Sequence, residues 1–236
     1  MKINFKPEDE KVLLEIYNFF ISHKLAKPYV VGGAVRDVVM GRIYNDLDIT
    51  SNAGGQSFVG GLFYAIAKEK SYNIHRKGYV SVNSNYHSSV DFSSGMMSIP
   101  SDRDISETES RNFTINSMLF DIKERKVIDE FGGLEDIKNK VIRTVSSPDL
   151  SFRDKQNRVI KCIELATRLD FKISDEILDF YKKNIDYIRY CFINNENYLQ
   201  SSFGKAISHN EDLFLSHVIK LGIFSEYHLL DHIKTY

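Results

Sequence analysis

At 236 residues the chain falls between one large domain and two small ones, long enough to bury roughly 70–75% of the surface its unfolded form exposes. A hydrophobic share of 42% and a charged share of 27% argue against disordered, collagen-like and membrane-spanning chains, and no apolar run approaches the roughly 20 residues that cross a bilayer. With 31 basic and 32 acidic residues the net charge is −1, so any nucleic-acid contact must be local. Lys138, Lys140, Arg143, Arg153, Lys155, Arg158, Lys161 and Arg168 form a basic stretch with acids interspersed, a pattern that suits a solvated helical face as well as a binding face. Cys162 and Cys191 lie in no CxxC or Cys/His cluster and read as two small buried hydrophobes. The N-terminal segment carries acids where a secretory signal has its basic region and uncharged core, so a cytoplasmic location is expected.

In chain order, Val12, Leu13, Ile16, Phe19 and Phe20 predict an amphipathic helix within Pro7–Leu25. Tyr29-Val30-Val31 reads as a buried strand closed by Gly32-Gly33, with a helix over Ala34–Met40 behind it. Asp46-Leu47-Asp48-Ile49-Thr50 alternates with period two, which predicts a half-buried strand with both aspartates on one face. A helix over Gln56–Lys70, strands over Tyr79–Val82 and Ser88–Phe92, and a polar loop over Ser94–Ser110 follow. Phe120–Asp129 predicts a hairpin, and Phe131-Gly132-Gly133 a turn before a short helix. From Phe152 onward there is no proline, and Val159, Ile160, Ile163, Leu165, Ala166 and Leu169 recur at helical spacing, so the C-terminal third is expected to be all-helical. The fold class is therefore α+β: a mixed β-sheet with helices over 1–147, then helices over 148–236.

Glycines between a strand and a helix let backbone N–H groups approach a phosphate, and the helix start adds partial positive charge. Alone, Gly32-Gly33 is more often simply a turn. Asp46 and Asp48 follow it by about a dozen residues, two carboxylates two residues apart on one strand face. Such a pair is costly without a cation and suits Mg²⁺ ions that also touch a triphosphate.

That conjunction resembles the nucleotidyltransferase superfamily, and further motifs narrow the likeness to class II tRNA CCA-adding enzymes and bacterial poly(A) polymerases. Val30–Asp37 through Asp46–Ile49 is similar to their first motif. Arg111-Asn112-Phe113-Thr114-Ile115-Asn116 is similar to their RRDFTIN, and Val127–Ile137 to their IIDPFGG with its short helix. Phe152-Arg153-Asp154-Lys155-Gln156-Asn157-Arg158 resembles FREDxxR, whose Asp and Arg hydrogen-bond the incoming base. The resemblance implies a palm-type head over 1–147, and a helical neck with a truncated body over 148–236. It implies two Mg²⁺ ions on Asp46 and Asp48, with Asp91 as a third palm carboxylate. It implies triphosphate at Gly32, Gly33 and Arg36, and phosphate and ribose contacts from Arg111, Asn112 and Asn116. Base reading falls to Asp154, Lys155 and Arg158. The implied partners are CTP, ATP and an RNA 3′ end, foremost that of tRNA, with no membrane.

Several departures bear on specificity. Ser110-Arg111-Asn112 stands for RRD, losing one cation and one anion, and Lys155 brings three donors and no acceptor where the family has a carboxylate. Asp91 and Arg111 are separated by only 19 residues, which suggests a shortened loop; in the family this distinguishes CC-adding from CCA-adding enzymes. CCA or CC addition, poly(A)-like addition, transfer to a non-tRNA acceptor and a non-catalytic RNA-binding module are the competing readings. Intact Asp46 and Asp48 speak against the last.

Overall fold

The computed structural model describes residues 1–51, 71–74, 80–83, 89–94 and 112–223, the three short segments by their backbone alone. By contacts the chain divides into two compact units, Met1–Arg111 with Ile115–Leu134, and Asn112–Thr114 with Glu135–Tyr236. The expected helix 56–70, most of the loop 94–110 and Arg111 lie outside the described residues.

The first unit begins with α1 (Pro7–Ser22), which opens on proline and places Glu8, Asp9 and Glu10 in its first turn, where acids meet the exposed N–H groups favourably. Val12, Leu13, Ile16, Phe19 and Phe20 form its buried face, as their spacing predicts. Strands β1 (Tyr29–Val31), β2 (Asp46–Ser51), β3 (Ser71–Ile74), β4 (Val80–Asn83), β5 (Ser89–Ser94), β6 (Leu119–Asp121) and β7 (Lys126–Ile128) form one sheet in the order β3-β4-β5-β2-β1-β6-β7. Only β2 with β5 is parallel, so the sheet is mixed. Helix α2 (Gly33–Val39) contacts β1 and β2. The adjacent residues Val30 and Val31 are both buried, so β1 is covered on both faces. The β6–β7 hairpin is closed by Asp121, whose Oδ1 accepts from the backbone N–H groups of Lys123 (3.0 Å) and Glu124 (2.9 Å). This is local turn chemistry of the kind that favours aspartate.

Helix α3 (Gly133–Asn139) leads into the second unit. There α4 (Pro148–Asp154), α5 (Asn157–Leu169), α6 (Asp175–Lys183), α7 (Ile185–Ile193), α8 (Glu196–His209) and α9 (Glu211–Lys220) gather around α5, which packs against α4, α7, α8 and α9. Helix α5 is buried on nearly every side, and Cys162 on it and Cys191 on α7 are both buried. The aromatic pair Phe180 and Tyr181 is core as well, with the Tyr181 hydroxyl donating to the Val159 carbonyl.

The expectation that the C-terminal third is all-helical is corrected at one place. Asp170 adopts a left-handed conformation (φ 57°) that ends α5, and Lys172–Ile173 (β9) then pairs in parallel with Val141–Ile142 (β8). Phe171 and Ile173 are buried while Lys172 between them is exposed, a period-two signal too short to outweigh the helical pattern around it. The basic stretch is largely neutralised within the same unit: Arg143 pairs with Asp136, Arg153 with Asp149, Arg158 with Asp154, and Lys161 and Arg168 both with Glu164. Among the described residues no helix is long and apolar enough to cross a membrane.

Two buried titratable groups on α5 and α9 set the acid response of this unit. Burial alone would raise the Glu164 carboxyl, but the Lys161 ammonium and the Arg168 guanidinium outweigh it and hold its pKa below the ordinary value. Burial also depresses His217, helped by Lys220 and opposed by the Ala166 carbonyl and Asp170. Both folded pKa values lie below the unfolded ones, so their stability contributions are complete above the unfolded pKa and are lost as pH falls. The urea midpoint should decline first below about pH 6.5 and again below about pH 4.5. Urea titrations of His217→Gln and Glu164→Gln should show the first and second declines flattened, respectively.

Candidate active site

The first described cluster grows from the end of β1. Gly32 takes φ 79° and ψ −143°, a backbone region that only glycine enters without strain, and Gly33 begins α2. Strand β1 runs antiparallel to β2 with Val31 opposite Asp48, so the glycine turn leaves the sheet at the end where Asp46 enters it. Along β2, Leu47 and Ile49 are buried, whereas Asp46 is exposed and Asp48 half-buried; the two carboxylates share the face that period two predicts. Two residues along a strand separate them by about 7 Å at the backbone. Strand β5 pairs with β2 in parallel with Asp91 opposite Asp48 and Ser89 opposite Asp46. Neighbouring strands lie about 5 Å apart, so the register sets a third acidic residue next to the pair.

The segment entering β2 is pinned from below by residues that sequence reasoning does not single out. Tyr44 is buried, donates its hydroxyl to Asp9 Oδ2 on α1 (2.6 Å) and accepts from the Lys6 backbone N–H (2.9 Å). Burial and the Asp9 carboxylate push the Tyr44 phenol well above its ordinary pKa, keeping it a donor. The available signal is an acid, Asp9, three residues ahead of Val12 on the apolar face of α1. Leaving a buried carboxylate without its donor costs about 1–3 kcal/mol or more.

Arg36, on the first turn of α2, is 7% exposed. Its Nε and Nη2 donate to Asp37 Oδ1 (2.8 Å) and Oδ2 (2.9 Å), and its Nη1 donates to Asn116 Oδ1 (2.8 Å). Asn116 ends the 3-10 turn Thr114–Asn116, just ahead of β6, whose Leu119 faces Val31 of β1. The guanidinium lies over Gly33: a Cβ built there would sit 3.5 Å from Arg36 Nη2, an ordinary contact. In the same unit Asp129 caps α3, accepting from the N–H groups of Gly133 (2.8 Å) and Leu134 (2.9 Å).

The remaining candidates belong to the second unit. The Asn112 carbonyl accepts from the Val145 N–H (3.4 Å), and Thr114 donates its hydroxyl to Asp136, which also holds Arg143. Arg158 is buried on α5 and donates through Nη1 to the Ser151 carbonyl and to Asp154 Oδ2, both at 2.9 Å. Burial lowers its pKa and Asp154 opposes the shift. Lys155 is exposed in extended backbone at the end of α4. The structure therefore gathers Gly32, Gly33, Arg36, Asp46, Asp48, Asn116 and the backbone of Asp91 in the sheet unit, and Asn112, Asp154, Lys155 and Arg158 in the helical unit.

A glycine turn beside paired aspartates on a mixed sheet is the arrangement of a nucleotidyltransferase head. Residues 28–143 match the model of the Poly A polymerase head domain. The chain is 32% identical over 185 residues to the CCA-adding enzyme of Staphylococcus epidermidis (strain ATCC 12228 / FDA PCI 1200), covering 73% of this chain and 44% of that protein. It is 29% identical over 174 residues to that of Staphylococcus aureus (strain MRSA252), covering 70% and 42%. It thus spans less than half the length of these curated relatives. Its fold matches a solved CCA-adding enzyme in complex with CTP at a TM-score of 0.78 and 23% identity, covering 93% of this chain and 53% of that one. It matches the Thermotoga maritima CCA-adding enzyme complexed with tRNA at 0.73 and 22%, covering 93% and 52%. Residues 28–143 therefore carry a Poly A polymerase head domain, and the curated relatives the chain resembles are CCA-adding enzymes.

The two glycines should respond differently to a methyl group. Gly32→Ala forces an L side chain into the φ 79° conformation and should lower stability by about 1–3 kcal/mol. Gly33→Ala meets only an ordinary contact and should leave the unfolding free energy within about 0.5 kcal/mol of the parent. If Gly33 is bare to admit a phosphate, Gly33→Ala should nevertheless weaken nucleoside triphosphate binding in calorimetric titrations.

Proposed function

We propose that the chain is the catalytic part of a template-independent RNA nucleotidyltransferase that adds CMP, AMP or both to an RNA 3′-OH, with a tRNA 3′ end as the favoured acceptor. The observation that carries this reading is the strand register: Asp46 and Asp48 on one face of β2, Asp91 opposite Asp48 on β5, and the Gly32-Gly33 turn at the same end of the sheet. In this reaction the acceptor's 3′-oxygen attacks the α-phosphorus, the bond from phosphorus to the bridging oxygen breaks, and pyrophosphate leaves.

Hard carboxylate oxygens suit Mg²⁺, and Asp46 and Asp48 are the residues that would hold two such ions, with Asp91 as a third palm carboxylate. Bound there, the metal supplies charge neutralisation on the leaving group and a more acidic attacking hydroxyl. The protein's own part is positioning. The bare backbone at Gly32 and Gly33 admits the triphosphate, Arg36 and Asn116 shape the same pocket, and Arg111 and Asn112 meet phosphate and ribose. Asp154, Lys155 and Arg158 read the base, with the buried Arg158 held in place by Ser151 and Asp154. We assign residues 1–147 to the head and 148–236 to the helical neck and body, and place the protein in the cytoplasm.

The acceptor is argued from the curated relatives, which are named CCA-adding enzymes, and from solved CCA-adding enzymes of like fold, whose complexes hold ATP, CTP or tRNA. Exposed Lys155, where the family carries a carboxylate, makes base choice the open variable of this chain. The test is extension of tRNA transcripts ending before CCA, after C and after CC, each offered single labelled triphosphates with Mg²⁺. C-limited extension supports CC addition, ordered C, C, A supports CCA addition, and no extension of any tRNA removes the tRNA acceptor. Asp46→Ala and Asp48→Ala should each lower turnover by more than about a thousandfold, because several kcal/mol of transition-state stabilisation is lost. Their circular dichroism should match the parent, since Asp46 is exposed and Asp48 only half-buried on β2.

A further inference from the structure

Resting on the proposed nucleotide pocket, we infer that Arg36 and Asn116 act as a single positioning unit, a brace that holds the Gly32-Gly33 turn against the turn preceding β6, and that they do not separately bind triphosphate and ribose. Three observations support this. Asp37 engages the Arg36 guanidinium through two parallel hydrogen bonds, of 2.8 and 2.9 Å, so a neighbouring carboxylate offsets its charge before any ligand arrives. A third N–H is committed to Asn116 Oδ1 at 2.8 Å, across 80 residues of sequence, which takes one of the two lone pairs of the amide oxygen and fixes the side chain toward α2. Finally, Arg36 is 7% exposed and its guanidinium lies against Gly33, 3.5 Å from where a Cβ would stand, so it supports the turn that faces the phosphates.

A brace of this kind depends on fork geometry more than on charge. Lysine keeps the charge but is a point donor that cannot span Asp37 and Asn116 together. Two groups acting through one hydrogen bond are also non-additive, whereas two independent ligand contacts multiply.

The test is a double-mutant cycle on the full chain with Arg36→Lys, Asn116→Leu and both together. Extension is assayed with CTP and with 2′-deoxy-CTP, and urea unfolding is followed in parallel. Each single variant should raise KM for CTP by about tenfold with kcat changed far less, and the double variant should be no worse than the weaker-binding single. The preference for CTP over 2′-deoxy-CTP should stay at the parent value in Asn116→Leu. A multiplicative loss of about a hundredfold in the double variant, or a collapsed ribose preference in Asn116→Leu, would overturn the inference. If Asn116→Leu does not fold, Asn116→Ser replaces it, since its hydroxyl is too short to reach the guanidinium. The unfolding cycle separates this inference from the function on which it rests. A parent chain that transfers no nucleotide, but whose two substitutions are non-additive in unfolding, refutes the proposed reaction and retains the brace; additive unfolding effects refute the brace.

Discussion

The antiparallel pairing of β1 with β2 is the constraint on which the site depends. With Val31 opposite Asp48, the chain leaves the sheet through Gly32 at the same end where the acidic strand begins. A one-residue slip would turn Leu47 and Ile49 toward solvent and Asp46 and Asp48 into the core, exchanging two buried aliphatics for two buried charges. Hydrophobic burial on one face of β2 therefore enforces the display of carboxylates on the other. The positive φ at Gly32 then lets the backbone reverse directly into α2 beside them.

Around that pairing, buried polar contacts set the geometry that burial alone leaves loose. Asp9 and Tyr44 tie the approach to β2 to α1, Arg36 ties α2 to the turn at Asn116, and Asp129 caps α3. Asp9 with Tyr44, and Arg36 with its partners, bury groups whose isolation would cost more than their pairing returns, so each tolerates only one arrangement. The helical unit shows the same economy: Glu164, buried on α5, is retained by Lys161 and Arg168 from the turns on either side. Pairing also answers the question left by the basic stretch. Most of its cations face acids of their own unit, so its reading as a broad phosphate-binding surface loses force, while Lys155 stays exposed at the end of α4.

Much of this was readable before any coordinates. Periodicity of 3.6 located α1 and α5, periodicity of two located β2 and put Asp46 and Asp48 on one face, and the glycine pair located the turn, because each signal is local and each element buries the side its own pattern dictates. The two-residue β8–β9 pairing escaped for the opposite reason: a strand so short carries no period of its own, and the left-handed Asp170 that allows it is an exception for a residue other than glycine.

Sequence by itself thus determined the chemistry on offer: paired carboxylates, a bare glycine turn and the motifs that mark the family. Tertiary structure alone decided which groups meet. Asp91 stands opposite Asp48 only because β5 joins β2 in parallel, and Arg36 reaches Asn116 only because the Thr114–Asn116 turn returns beside α2. Such pairings join residues tens of positions apart, and strand register and side-chain reach, which no local pattern encodes, select them.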